Sequence, residues 1–377
     1  MTALGSELFV GKALIAAGGT GGHVYPALAV ASVLTQQGWT VNWLGTERGI
    51  EQRLVPGAGL PLHHLTVSGL RGKSFIARCQ AVLRLLIAVW QSLRVMRHIQ
   101  PDVVLGMGGY ASGPAGVAAW LSRRPLVIHE QNAVAGTTNR WLAPLATRVL
   151  CGLPGGLERI EKATVVGNPV RAGLLDAQGQ EASLPPDQFS EERPLRVLVL
   201  GGSLGAAPLN ALIPATIDRL LERGFGARIA LWQQCGERNR AEADIAWQGT
   251  QFQDLRLDDF IDDMAAAYGW ADLVIARAGA LTISELAATG RASVLIPLPH
   301  AIDDHQTRNA RVLAKAGAAV LMPQAEATPE ALAERISDWL EQPLSLTNMA
   351  RAARGSAQPD ATQRVVSVLQ EVAHASV

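Results

Sequence analysis

Cysteine is scarce in this 377-residue chain, which holds only Cys79, Cys151 and Cys235. They stand far apart and form no CxxC pair, so neither a zinc knuckle nor a dithiol motif is suggested and a reducing compartment fits. Long apolar runs are missing too, and no stretch approaches the ~18 residues of a spanning helix. The opening MTALGSELFVGKALIAAGG lacks a basic stretch and a small-residue cleavage pattern, so no signal peptide is expected. No two aspartates stand at D-x-D spacing, which argues against a carboxylate-held metal bridging a diphosphate. Asp258, Asp259, Asp262 and Asp263 look like a metal cluster, but Asp262 and Asp263 read better as caps of the helix after FIDDM. Ala133 stands where HExxH would need its second histidine after His129-Glu130, so a zinc protease is excluded.

Acidic residues are absent between Glu51 and Asp102, whereas Arg71, Lys73, Arg78, Arg84, Arg94 and Arg97 fall there. Overall charge is balanced at 33 Lys/Arg against 33 Asp/Glu, but the halves differ. Residues 1–171 carry 16 basic and 7 acidic groups, a net of +9, and the rest carry 17 and 26, a net of −9. A basic half on a neutral protein needs an anionic partner or another reason. Segment 71–97 also has helical periodicity, with Leu85, Leu86, Val89, Trp90 and Leu93 among its arginines. Part of it must be an ordinary core helix, and the basic enrichment fits docking on anionic lipid. His63-His64 read as surface and the scattered tryptophans as core.

What is abundant is one theme: a short apolar run, a glycine-rich turn, a helical segment. KALIAAGGTGGHVYPALAVA opens the first half in this way and LRVLVLGGSLGAAPLNALIP the second. Further strands are expected at TVNWLG, DVVLGMG, PLVIHE and RVLCG, then at ARIALWQQCG, ADLVIARAG, ASVLIPLP and AAVLMP. Continuous apolar strands alternating with helices indicate an α/β protein of two doubly wound parallel sheets facing a cleft. The polar, proline-containing stretch 172–194 reads as their linker.

Ligands of such sheets bind where strands end and helices begin. Gly18–Pro26 is the first such turn. It is not GxGxxG, so a nicotinamide site is disfavoured. His23 stands at the helix start, either as a proton-exchanging group or as a capping or packing residue. Gly106–Pro114 offers the hydroxyls of Tyr110 and Ser112. Ile128–Arg140 carries Glu130 and Asn132 toward the cleft, or is a polar loop. Gly201–Ala206 suits a phosphate, with Ser203 as donor. In Arg277–Gly290 a helix N-terminus suits a leaving diphosphate, and Glu285 is either half of a Thr282 capping box or a ribose-diol acceptor.

The motifs GGTGGHVYPALAVA, GMGGYASGP, HEQNAVAGTTNR, VVGNPVR, GGSLGA, FIDDM, RAGALTISELAATG and DDHQTRNA stand in the order of the MurG family, which this chain resembles from Ala13 to about Gly317. That resemblance implies the two-domain GT-B glycosyltransferase fold. Its domains would span 1–171 for the acceptor and membrane side and 195–355 for the donor, with 356–377 crossing back to the first. It implies transfer of N-acetylglucosamine from UDP-N-acetylglucosamine to lipid I, inverting and metal-independent, at the cytoplasmic face of the inner membrane. Neither a cofactor nor nucleic acid is implied. Ile261 would hold uracil, Glu285 the ribose, and Ser203 and Arg171 the phosphates. Thr20, Gly21, Gly22, Asn132, Ala280, Leu281, Thr282, Ile283, Ser284 and Gln306 would complete the donor side. His23, Tyr110 and Glu130 would face the acceptor, with His23 as base and Glu130 as its substitute. Two positions depart from the pattern: Leu204 and His305 stand where the family often has glutamine. A UDP-N-acetylglucosamine 2-epimerase or another lipid-directed GT-B enzyme are the alternatives, and a non-catalytic, membrane-docked nucleotide-sugar binder is a third.

Overall fold

The computed structural model describes residues 10–67, 75–171, 173–174, 184–202 and 205–375, without the side chains of 75–81 and 302. In chain order its strands and helices are β1 (Lys12–Ala16), α1 (Gly21–Gln36), β2 (Thr40–Thr46), α2 (Glu51–Gly57), β3 (Leu62–Leu65), α3 (Phe75–Ile99), β4 (Val103–Gly106), α4 (Gly109–Leu121), β5 (Leu126–Glu130), α5 (Thr137–Leu142), β6 (Arg148–Cys151) and β7 (Ala163–Val165). They continue with β8 (Leu195–Leu200), α6 (Ala207–Glu222), β9 (Ile229–Gln234), α7 (Arg240–Gln248), β10 (Leu255–Asp258), α8 (Met264–Trp270), β11 (Leu273–Ala276) and α9 (Ala280–Thr289). The last are β12 (Ala292–Leu295), α10 (His305–Lys315), β13 (Ala319–Leu321), α11 (Pro329–Glu341), α12 (Pro343–Gly355) and α13 (Ala361–His374). They form two compact units: one up to Arg171 together with the chain from Asp360, the other between them.

The first unit holds a sheet of order β3-β2-β1-β4-β5-β6-β7, the second one of order β10-β9-β8-β11-β12-β13, and every pair is parallel. Parallel strands need crossovers, and the helices supply them over both faces. Alternation along β1 shows this directly. Ala13 and Ile15 pack into one core with α1 and α13, whereas Leu14 and Ala16 pack into another with α3, α4 and α5. The fully buried Val365, Val366 and Leu369 of α13 join the first of these cores. In the second unit Val197, Val199 and Ile275 face α6, α11 and α12. Phe189, inside the stretch read as a linker, is buried in the same core.

β3, β7 and β10 were not foreseen, and all three lie at sheet edges. Edge strands bury less and need less apolar sequence, so LHHL carries no run to detect. The two histidines there bond neighbours, His63 to Asn42 and His64 to Gln52. The reading of tryptophans as core needs correction. Trp43 is fully buried, but Trp141, Trp90 and Trp120 are 73%, 59% and 54% exposed.

Each strand order reverses between its first and fourth strands, β1 and β4 in one unit and β8 and β11 in the other. A crevice opens at such a point, where loops diverge to opposite faces. Pairing of Ala16 with Gly106 sets the loops after β1 and β4 side by side. The approach is so close that a Cβ on Gly109, whose φ is 78°, would collide with the Gly18 carbonyl oxygen.

Candidate active site

In the first unit Thr20 caps α1 from extended backbone, and its hydroxyl lies 3.2 Å from Nδ1 of His23 instead of bonding the helix backbone. The N–H groups of Gly21 and Gly22 stand in the first turn, ahead of the intrahelical ladder. Burial pushes the His23 imidazole below its ordinary value of 6.5, against the pull of Glu130, the Gly18 backbone and Glu51. The ring is therefore neutral and able to accept a proton at pH 7. The Arg171 guanidinium stacks on the ring of Tyr25, 4.0 Å from its centroid, one turn along α1. Tyr110 lies exposed at the start of α4.

Glu130 and Ser112 are more occupied than their sequence positions suggest. Glu130 is buried and accepts at Oε1 from the Asn132 backbone (3.0 Å) and side chain (3.1 Å). Its Oε2 accepts from Gly136 N–H and Asn139 Nδ2, both at 2.9 Å. Four donors make this carboxylate an organiser of the loop after β5, and protonating it would break those bonds. Ser112 lies against the carbonyls of Ala16 and Gly108, each 2.7 Å away, so its hydroxyl serves the fold.

In the second unit α9 begins at Ala280 with Gly279 as cap, and Ile283 N–H closes the first turn on the Gly279 carbonyl. Ala280, Leu281 and Thr282 therefore stand at the positive end of the helix dipole. Thr282 lies inside the helix, so the capping-box reading fails. Instead Glu285, one turn on, accepts from the Tyr268 hydroxyl at 3.0 Å. Ile283 is buried in the core, and the Ser284 hydroxyl bonds back to the Ala280 carbonyl at 3.1 Å. Gln306 opens α10 by accepting the Leu298 N–H at 2.8 Å. The loop between them holds His300, Asp303 and Asp304 at φ of 58°, 55° and 51°, a left-handed run without glycine. Ser203 and Leu204 lie outside the described residues. Asp263 caps α8, Asp258 bonds Trp232 and Arg256, and Asp259 bonds Arg240, so these carboxylates serve helix and ion-pair contacts.

Residues 13–151 match the glycosyltransferase family 28 N-terminal domain and 196–365 its C-terminal domain. A protein of Pseudomonas entomophila named UDP-N-acetylglucosamine--N-acetylmuramyl-(pentapeptide) pyrophosphoryl-undecaprenol N-acetylglucosamine transferase is 52% identical over 96% of this chain and 98% of its own. A protein of Stutzerimonas stutzeri with the same name is 51% identical over the same shares. The crystal structure of Acinetobacter baumannii MurG superposes with a TM-score of 0.77 at 38% identity, covering 96% of this chain and 99% of that one. The chain belongs to the MurG family of glycosyltransferases. UDP-N-acetylglucosamine 2-epimerase from Neisseria meningitidis, at 12% identity and a TM-score of 0.65, shares the fold alone.

Several residues at these MurG-family loops escaped the sequence reading, because their roles come from partners distant in sequence. Gln234, at the end of β9, donates to the Gly202 carbonyl at 2.9 Å and accepts the Ile261 N–H at 3.0 Å. Ile261 could use both backbone groups on a base only if that bond broke. Arg277, buried at the end of β11, donates to the carbonyls of Ile296 and Pro297 and to Gln324. Burial lowers its affinity for the proton, and it brings a positive charge to the turn before α9. Glu51 is wholly buried and touches three glycines of the first unit, Gly18, Gly45 and Gly49.

Proposed function

We infer that the chain transfers N-acetylglucosamine from UDP-N-acetylglucosamine to the 4-hydroxyl of the N-acetylmuramoyl-pentapeptide of lipid I, giving lipid II for peptidoglycan. The end-to-end match to relatives bearing that activity in their name carries the reading.

The chemistry is a single inverting displacement. His23 takes the proton of the acceptor hydroxyl as its oxygen attacks the anomeric carbon, and the bond to the diphosphate breaks. Charge then develops on UDP. The N–H groups at the start of α9, with Arg171 and Ser203, are placed in sequence to receive it without a metal. Glu285 takes the ribose hydroxyls and Ile261 the uracil. In the first unit Asn132 and the Thr20–Gly22 turn are the candidates for the transferred sugar and Tyr110 for the acceptor; in the second unit Gln306 is the candidate for the sugar. Glu130, with four donors of its own, shapes the loop around His23; this favours His23 as the base.

The acceptor is a lipid, and α3 supports docking of the first unit on an anionic membrane. Its inward face is small and polar in part, with Ala88, Ser92 and Met96 buried four residues apart. Its outward face is apolar: Leu83, Leu86, Ile87 and Trp90 are exposed, and Arg94 lies 5.9 Å over the Trp90 ring. An amphipathic helix turned outward in this way, with arginines on it, suits the interface of an anionic bilayer. No described helix is long and apolar enough to cross a membrane. Peripheral attachment at the cytoplasmic face of the inner membrane is the localisation we propose, and the exposed apolar face of α3 supports the attachment. Residues 71–74 of the basic segment lie outside the described residues.

The test is incubation with radiolabelled UDP-N-acetylglucosamine, a lipid I analogue and a chelator, then chromatography of the lipid phase. Label in the lipid phase is the expected result. An epimerised sugar formed without acceptor would replace this reading with the epimerase one, and dependence on a divalent ion would remove the metal-free displacement.

A further inference from the structure

Glu285 lies one turn into α9 and is only 5% exposed. Taking a carboxylate out of water is costly unless its oxygens are hydrogen-bonded. Its Oε2 accepts from the Tyr268 hydroxyl at 3.0 Å. The residue is held at its backbone as well, where the Glu285 carbonyl accepts the Thr289 hydroxyl at 2.7 Å. Tyr268 is wholly buried on α8, which packs on α9 and on β8. Met264, Ala267 and Tyr268 are the buried residues of that short helix, and their spacing puts them on one inward face. Asp263 caps the helix through the Ala266 N–H at 2.9 Å, and Ile261 stands just before that cap. One short element thus joins the loop read as the base site to the hydroxyl that meets Glu285. A tyrosine has only two side-chain torsions, so a buried ring carries its hydroxyl to a fixed point.

We propose that Tyr268 is a positioning residue of the ribose subsite: its hydroxyl holds the Glu285 carboxylate in the orientation that accepts the 2′ and 3′ hydroxyls of the nucleotide. The tyrosine takes one of the roughly four lone-pair sites of an ionised carboxylate and so sets the plane in which the rest lie. A carboxylate reads a diol only when that plane matches the two hydroxyls. Fixing it in advance lowers the ordering cost of binding. Stability gives no reason for the pair, since two apolar residues of the same shape would fill the space at little or no cost. The ribose is remote from the bond that breaks, so the contact serves ground state and transition state alike.

The proposal rests on the reading of Glu285 as the ribose acceptor, and calorimetry with two nucleotides separates the two. UDP and 2′,3′-dideoxy-UDP, which lacks both hydroxyls, are titrated into the full-length protein and into Y268F. The unsubstituted protein should prefer UDP by about tenfold or more, because a site built for hydroxyls rejects a ligand without them. Y268F should weaken UDP by about 5–20-fold, the scale of one hydrogen bond, and the dideoxy nucleotide by less than about twofold. In turnover, KM for UDP-N-acetylglucosamine should rise by the same factor while kcat stays within about twofold. Equal loss of both nucleotides in folded Y268F, or loss of neither, overturns the proposal and leaves the ribose reading standing. No preference for UDP in the unsubstituted protein removes Glu285 as the ribose acceptor and the proposal with it. A second measurement leaves position 268 intact. The chain has three tyrosines, Tyr25, Tyr110 and Tyr268, so 3-fluorotyrosine labelling gives three 19F resonances, and Y25F and Y110F identify that of Tyr268. That resonance should move at saturation with UDP and hold its position with the dideoxy nucleotide. The same response to both ligands overturns the proposal, whether or not Y268F folds.

Discussion

At the scale of the residue, His23 and His129 show how burial decides protonation. His23 is depressed below 6.5 by desolvation, so its basic form prevails at neutral pH. We predict that kcat/KM rises as pH climbs through a value below 6.5 and then levels. H23A should lower kcat by about 10²–10⁴-fold, the usual contribution of a general base, while UDP binding by calorimetry stays intact. Turnover close to that of the unsubstituted protein would remove His23 from the mechanism. His129 is fully buried, with Nε2 bonded to the Gly167 carbonyl at 3.0 Å and Nδ1 facing the Gln131 amide at 3.2 Å. Desolvation lowers its proton affinity in the folded state. The unfolded chain then binds the extra proton first, so stability is fully present above 6.5 and is lost as pH falls through the lower folded value. Thermal melts from pH 7.5 to 5 should show a midpoint that declines below 6.5, and H129Q should flatten that slope. Of these residues, His23 and Glu130 were visible in the sequence as candidates after strands. Glu51 was not, because nothing in EQRLVPG announces a bond to a glycine 32 residues earlier.

At the scale of the element, α3 is the outlier. Apolar periodicity in a sequence normally marks the face that a helix buries, and here Leu83, Leu86, Ile87 and Trp90 are exposed, whereas Met96 is buried and Leu93, Val95 and Ile99 are partly buried. The face that packs beside α4, a helix rich in glycine and alanine, includes the small Ala88 and Ser92 as well as Met96. Composition could not reveal which stripe faced inward. We predict that L86E and W90E together weaken co-sedimentation with anionic vesicles by tenfold or more, about 1.4 kcal/mol. Thermal stability should change by no more than about 0.5 kcal/mol, because surface substitutions remove no core contact. Equal binding by the double variant would argue that docking lies elsewhere. The start of α9 shows the opposite case. RAGALTISE reads as a strand end followed by a helix, and the helix stands there. Under the capping-box alternative the helix would start three positions later, and its start at Ala280 makes Thr282 an interior residue instead of a cap.

At the scale of the whole molecule, the chain leaves the first unit at Arg171 and returns to it at Asp360. The returning helix α13 is not an accessory. Val365, Val366, Leu369, Val372 and Ala373 are buried in the core that this helix forms with α1 and β4, and burying an aliphatic side chain is worth roughly 1.5–3 kcal/mol. Their loss is comparable with the ~5–15 kcal/mol that holds a domain together. Deleting residues 360–377 should therefore abolish the cooperative melting of the first unit in calorimetry while that of the second persists. Two unchanged transitions would show that α13 contributes little.

By itself the sequence determined the α/β class, the two parallel sheets and the glycine turns that end their strands. Those features are written locally, in apolar runs, helical periods and residues that only a turn requires. The tertiary structure decided which polar groups remain for substrate. Glu130 spends its lone pairs on its own loop, Ser112 serves two carbonyls, and Gln234 ties down Ile261. Glu51 came to lie behind the turn that bears His23 only because β1 and β2 are neighbours in the sheet. Hydrogen-bond partners are set by strand order and register, which join residues far apart in the chain, and no local pattern encodes them.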